Sequence, residues 1–154
     1  MDNVDILIVE DNRHDAELML EALEGLAIGD KVRAIHDGVE AVDYFFSPEG
    51  FLKKANAHLP KLLLLDLKLP KVSGLEILKR VKSDERTMYI PTVIFTSSSE
   101  SQDRSESYEL GANSYVVKPM DADMFSRYVC DIGNYWLSMN TTILDGGLPR
   151  ARQK

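Results

Sequence analysis

The chain has 154 residues, enough for one domain with a real core. Its apolar share of 44% and charged share of 28% are ordinary for a globular protein, and a net charge of −7 argues against general nucleic-acid binding and against adhesion to an acidic membrane. The single cysteine, Cys130, excludes an internal disulfide and a cysteine metal cage, and fits a reducing, cytoplasmic setting.

The start, MDNVDILIVED, is acidic rather than basic, unlike a secretion signal. No apolar run approaches the ~20 residues of a membrane span. Asp5–Val9 (DILIV) reads as a buried strand that runs into Glu10-Asp11-Asn12. Asn12 is a candidate N-cap for a helix to about Leu26. Leu18, Leu20, Ala22, Leu23 and Leu26 form its inner side, and Asp15, Glu17, Glu21 and Glu24 its solvated side. Gly25, Gly29 and Asp30 supply a turn. Lys31–Ile35 alternates polar and apolar, which suits a strand near an edge. After His36-Asp37-Gly38 a helix runs through Phe46, with Ala41, Val42, Phe45 and Phe46 inward, and Pro48 and Gly50 stop it. Residues 51–59 form a longer connection than two elements need, and the sequence assigns them no element.

The next stretch, Leu62–Gly74 (LLLLDLKLPKVSG), organises the rest. Four consecutive leucines suit a short strand buried on both faces, as in the centre of a parallel sheet. The run ends at Asp66, and a carboxylate is costly to bury without a partner. Two readings are open. Asp66 caps the next helix, or it is a reactive carboxylate at the carboxyl edge of the sheet, where open α/β folds place their sites. The second reading requires more acids after another strand and a cation after a third.

Ser73 can cap a helix over Leu75–Val81 with Leu75, Ile77, Leu78 and Val81 inward. Thr92–Phe95 (TVIF) is a fourth strand, ending in Thr96-Ser97-Ser98-Ser99. A polar helix follows from about Gln102 to Leu110. Ser114–Val117 (SYVV) is a fifth strand, closed by Lys118-Pro119. Met120–Leu137 is the last helix, with Met124, Phe125, Tyr128, Val129, Ile132 and Trp136 at helical spacing. Cys130 reads as a small core residue and the serine run as a polar loop, although the Ser97 N–H is placed to face an anion. His14 fits a solvated first turn better than a ligand.

Strand then helix, five times over, predicts an α/β fold: a (βα)5 doubly wound parallel sheet. The flavodoxin-like order 2-1-3-4-5 sets strands one and three side by side. Glu10 and Asp11 then meet Asp66. Three carboxylates so close repel one another unless a cation sits among them. With only oxygen ligands that cation is hard, Mg²⁺ first and Mn²⁺ next, and it keeps open positions for phosphate oxygens. Asp66 would be the nucleophile, forming an aspartyl-phosphate. Lys118 would pair with a phosphoryl oxygen, and Thr96 would hydrogen-bond another.

These motifs, each after its own strand over Val4–Trp136, resemble the response-regulator receiver domain of two-component signalling: Glu10-Asp11, DLKLPKVSG around Asp66, Thr96, Tyr115 within SYVVKP, and Lys118-Pro119. The resemblance implies a phosphoprotein rather than an enzyme, one that assists its own phosphotransfer and dephosphorylation. A sensor histidine kinase donates the phosphoryl group to Asp66. It further implies that Asp11 holds Mg²⁺ directly, Glu10 usually through water, with the Lys68 carbonyl as a further ligand. Thr96 and Tyr115 are the pair that moves on activation. The bond before Pro119 is expected to be cis. Lys68 and Ser97 stand where side chains tune phosphoryl lifetime, and a lysine at the mouth, screening water or pairing with Glu10, is expected to slow hydrolysis.

EDN near the start, the long connection and IGNYWLSM at the end are similar to small receivers paired with phytochrome-type sensor kinases. These are often dimeric through helix four, strand five and helix five. Phe125, Tyr128, Tyr135 and Trp136 either anchor a partner or pack on the domain's own sheet. The receiver is expected to span residues 1–140, with 141–154 a flexible tail and no effector domain, no nucleic-acid partner and no membrane partner. Rival readings are weaker. A magnesium-dependent phosphatase of the haloacid-dehalogenase type needs an acid where Lys68 stands. A flavin-mononucleotide site needs a hydroxyl- and glycine-rich loop where Glu10-Asp11-Asn12 stands, and a dinucleotide site needs G-x-G-x-x-G there. A phosphorylation-independent scaffold of the same fold remains the alternative.

Overall fold

Short, mostly apolar runs, each ended by a polar or charged side chain, alternate with helix-forming stretches, and each pair folds as a strand and the helix that follows it. The computed structural model describes residues 4–26, 31–50 and 58–143. In chain order the elements are β1 (Ile6–Val9), α1 (Arg13–Glu24), β2 (Val32–Ile35), α2 (Gly38–Phe46), β3 (Leu62–Leu65), α3 (Gly74–Ser83), β4 (Thr92–Thr96), α4 (Ser101–Glu109), β5 (Ser114–Val117) and α5 (Ala122–Asn134). A π-helical segment, Tyr135–Met139, prolongs α5. All five strands are parallel, in the order β2-β1-β3-β4-β5.

The central strands are buried on both faces because their side chains alternate between two cores. Leu63 and Leu65 of β3, with Leu7 and Val9 of β1, join Ala41, Phe45, Ile77, Leu78 and Val81 of α2 and α3. Leu62 and Leu64, with Ile6 and Ile8, join Met19, Leu23, Phe125 and Val129 of α1 and α5. Each fully buried leucine or isoleucine contributes about 1.5–3 kcal/mol. Four helices start on a side-chain cap: Asn12, Asp37, Ser73 and Asp121 each accept the N–H three residues on. The exception is α4, which has no side-chain cap bond and buries only Ser107. Of α1 to α5 it buries the fewest residues.

The inner stripes differ in places from those read off the pattern. On α1 the buried residues are Ala16, Met19 and Leu23, while Leu18, Leu20, Ala22 and Leu26 are only partly covered. On α5 the stripe is Phe125, Val129 and Gly133. Met124 and Tyr128, expected inward, are exposed, because α5 carries more apolar residues than one helical stripe can bury. Cys130 is half-buried rather than core, and its thiol donates to the Ala22 carbonyl of α1 at 3.3 Å. The Lys118–Pro119 bond, expected to be cis, is trans, the isomer that an X–Pro amide favours by about 0.5–1 kcal/mol. The turn at Gly29-Asp30, most of the 51–59 connection and nearly all of the 141–154 tail lie outside the described residues.

One structural cation was not read from the sequence. The Lys82 ammonium closes α3 by donating to the carbonyls of Met88 (3.0 Å) and Ile90 (2.8 Å) and to Asn113 Oδ1 (3.0 Å). Asn113 Oδ1 also accepts the Thr92 N–H at 2.8 Å, so one lysine ties α3 to the starts of β4 and β5.

Candidate functional site

Parallel register brings the strand ends level. Val9 pairs with Leu65, so Glu10 and Asp66 leave neighbouring strands at the same height. The Asp66 N–H donates to the Val9 carbonyl at 3.1 Å, and the Lys118 N–H donates to the Thr96 carbonyl at 2.7 Å. Acid, acid, hydroxyl and ammonium therefore converge on the carboxyl edge of the sheet.

Gly74 sets how close α3 comes to this edge. A Cβ there would stand 2.0 Å from the Asp66 carbonyl oxygen and 2.6 Å from Leu67 Cα, both backbone atoms that cannot yield. Gly74→Ala is expected to lower stability by about 3 kcal/mol in urea unfolding, as overpacking does. An unchanged midpoint would refute this close approach.

Oxygens of Glu10, Asp11 and Asp66, one from each, all lie within 4.8 Å of one another. Glu10 is buried and Asp11 exposed. Glu10 Oε2 accepts the Asn12 N–H at 3.1 Å. Among the described residues Glu10 Oε1 is buried outside any well-formed hydrogen bond, with the Lys118 ammonium 2.6 Å away. A buried carboxyl oxygen with a free lone pair, inside an all-oxygen set, fits a hard divalent cation. The residues can hold such an ion. Asp66 Oδ1 accepts the Leu67 N–H at 2.7 Å, and Oδ2 lies 3.3 Å from Lys118 Nζ.

Lys118 is not a surface lysine. Only 8% of its side chain is exposed, and its ammonium touches Glu10, Asp66 and also Asp15 of α1, at 2.9 Å. Burial alone would pull this ammonium down, but Glu10, Asp66 and Asp15 reverse that and hold it above the usual lysine range. Burial, then the charge of Asp66, pushes the Glu10 carboxyl up to about 8, against the pull of Lys118 and of the Asn12 N–H. The cation paired with Glu10 is thus Lys118. Lys68 is exposed and makes no ion pair among the described residues.

Thr96 is fully buried and its hydroxyl oxygen accepts the Ser98 N–H at 3.4 Å. Tyr115 donates its hydroxyl to the Ser98 carbonyl at 2.9 Å, and Ser98 donates its own to Asp103 of α4 at 2.5 Å. Ser98 therefore joins both residues to α4. Ser97, the serine weighed from sequence, is exposed, and so is His14.

The response regulator receiver domain model matches residues 6–129, most of the described fold. The chain belongs to the response-regulator receiver family. Among its relatives is a probable methanogenesis regulatory protein, FilR2, of Methanothrix harundinacea, 39% identical over 88% of this chain and 84% of that one. The response regulator Rcp1 of Synechocystis is 35% identical over 88% of this receiver and 90% of its own length. A crystal structure of Rcp1 in its Mn²⁺-bound form superposes with a TM-score of 0.79 at 32% identity, covering 89% and 96% of the two chains. The phosphorylated cyanobacterial phytochrome response regulator RcpA superposes at 0.80 with 35% identity, covering 90% and 96%. Receivers are signalling domains of two-component systems that carry a phosphoryl group on an aspartate. Among the described residues no helix of this receiver is long and apolar enough to cross a membrane.

Proposed function

We propose that this receiver accepts a phosphoryl group on Asp66 from the phosphohistidine of a sensor kinase. The observation that carries it is Asp66 Oδ2, held between an acid pair and a buried lysine at the sheet edge. The carboxylate attacks phosphorus, the P–N bond breaks and the histidine leaves. Glu10, Asp11, Asp66 and the Lys68 carbonyl would hold Mg²⁺, or Mn²⁺ in its place. That ion supplies charge neutralisation for the phosphate oxygens. Lys118 pairs with one phosphoryl oxygen and Thr96 with another. Tyr115, through Ser98, passes the change to the weakly anchored α4. The relatives named for phytochromes support a phytochrome-type kinase as donor. The reading is of a cytoplasmic signalling domain, with output by protein contact and not by turnover of an outside substrate. A small phosphodonor such as acetyl phosphate, with Mg²⁺, should add one phosphoryl group by intact mass. No mass shift would favour the scaffold reading.

Lys68 stands exposed two residues beyond the acceptor, where it can screen approaching water. Lys68→Ala is expected to shorten the phosphoryl half-life about tenfold, a change near 1.4 kcal/mol in barrier. An unchanged half-life would remove the lysine from this role.

The face made by α4, β5 and α5 leaves Tyr108, Val117, Met124 and Tyr128 exposed, with Met120 and Tyr135 at its ends. Exposed aromatic and methionine side chains on one face suit an interface, and a homodimer through it is part of this proposal. Sedimentation at micromolar concentration should give the dimer mass. Monomer mass, with or without phosphorylation, would count against it.

A further inference from the structure

Asp15 sits on the first turn of α1, on the helix side that the sequence alone marks as solvated. Its carboxylate nevertheless reaches Lys118, and at 2.9 Å it is nearer the ammonium than Asp66 is, at 3.3 Å. The three N–H bonds of Lys118 thus face three carboxylates: Glu10, Asp66 and Asp15. Two of the three belong to the oxygen set that can hold a cation, and Asp15 does not. A divalent ion entering that set competes with the ammonium for Glu10 Oε1 and Asp66 Oδ2. An ammonium that must leave them without another anion loses its charge partners in a largely buried place, which is costly. Asp15 offers that other anion, already in contact.

We infer that Asp15 is a positioning residue for Lys118: it holds the ammonium to the α1 side, so that a divalent cation can take Glu10 and Asp66 while the lysine stays charged and poised toward Asp66. This rests on the cation reading of the Glu10, Asp11 and Asp66 cluster. With Asp15 neutral, Lys118 settles more firmly between Glu10 and Asp66 and opposes the ion. Asp15 then affects ion binding only by way of the lysine.

The test is Mn²⁺ titration by calorimetry on the full chain, in a double-mutant cycle of Asp15→Asn and Lys118→Met. Asparagine keeps the size and an acceptor oxygen and removes the charge. Asp15→Asn should weaken Mn²⁺ binding about fivefold with Lys118 present, the scale of one well-formed ion pair. In the Lys118→Met background the same change should leave affinity nearly untouched. Equal losses in both backgrounds would mean that Asp15 acts as a plain negative charge near the ion, and would overturn the inference alone. No loss in either would also overturn it. A wild-type chain that binds no Mn²⁺ would overturn the cation site and the role of Asp15 together. Thermal unfolding of each variant separates these outcomes from a helix weakened by loss of an acid in its first turn, since a purely structural change lowers the midpoint without coupling to Lys118.

Discussion

Asp66→Asn is expected to abolish phosphoryl incorporation, from acetyl phosphate and from a kinase alike. Asparagine fits the same space and still accepts the Leu67 N–H that Asp66 Oδ1 now takes at 2.7 Å. What it lacks is the anionic second oxygen that lies beside Lys118 and that serves as nucleophile in the proposed transfer. The loss should therefore be of chemistry and not of fold. The variant also removes the Asp66 charge that helps to raise the Glu10 carboxyl, and so relieves that repulsion. Its thermal midpoint in chelator should then equal or exceed that of the wild type. Intact mass after exposure to the phosphodonor is the first readout and the unfolding midpoint the second. Phosphoryl groups retained on Asp66→Asn would move the acceptor to another side chain and end the present assignment.

Much of this site is legible in the sequence because strands in a parallel sheet have a simple grammar. A run such as Leu62–Leu65 has no polar side, so it must be covered on both faces, and the first charge after it marks the sheet edge. Glu10, Asp66, Thr96 and Lys118 all stand at such endings, and the strand order then brings them together. The partnership of Asp15 with Lys118 was not legible, since 103 positions separate them and the pattern of α1 assigns Asp15 to solvent. Lys82 and Ser98 escaped for the same reason: their partners are carbonyls and loop groups fixed by tertiary packing, with no periodic signature. On α5 the failure was of another kind. Apolar residues occupy more of the helix than the sheet can cover, so spacing alone could not tell Phe125, which is buried, from Met124 and Tyr128, which are not.

The second large effect concerns protons at Glu10. In the ion-free protein, burial and the charge of Asp66 raise its carboxyl from 4.5 to about 8. Between those values the folded chain holds a proton that the unfolded chain has released. Stability then falls as pH rises, because the folded state binds more protons than the unfolded one. The contribution of Glu10 is fully present below about 4.5 and is lost as pH rises through about 8. A divalent ion takes the place of that proton. Its apparent affinity should therefore strengthen with pH, by up to tenfold per unit, and level off above about 8. Unfolding midpoints in chelator and in Mg²⁺, measured from pH about 5 to about 8.5, give both slopes. Glu10→Gln should flatten the chelator curve between pH about 5 and about 8 and weaken the ion, since an amide has no proton to release and no charge to offer. An affinity for Mg²⁺ that ignores pH across this range, or a chelator slope unchanged in Glu10→Gln, would show that the buried oxygen facing Lys118 is already fully ionised and that the lysine alone neutralises it.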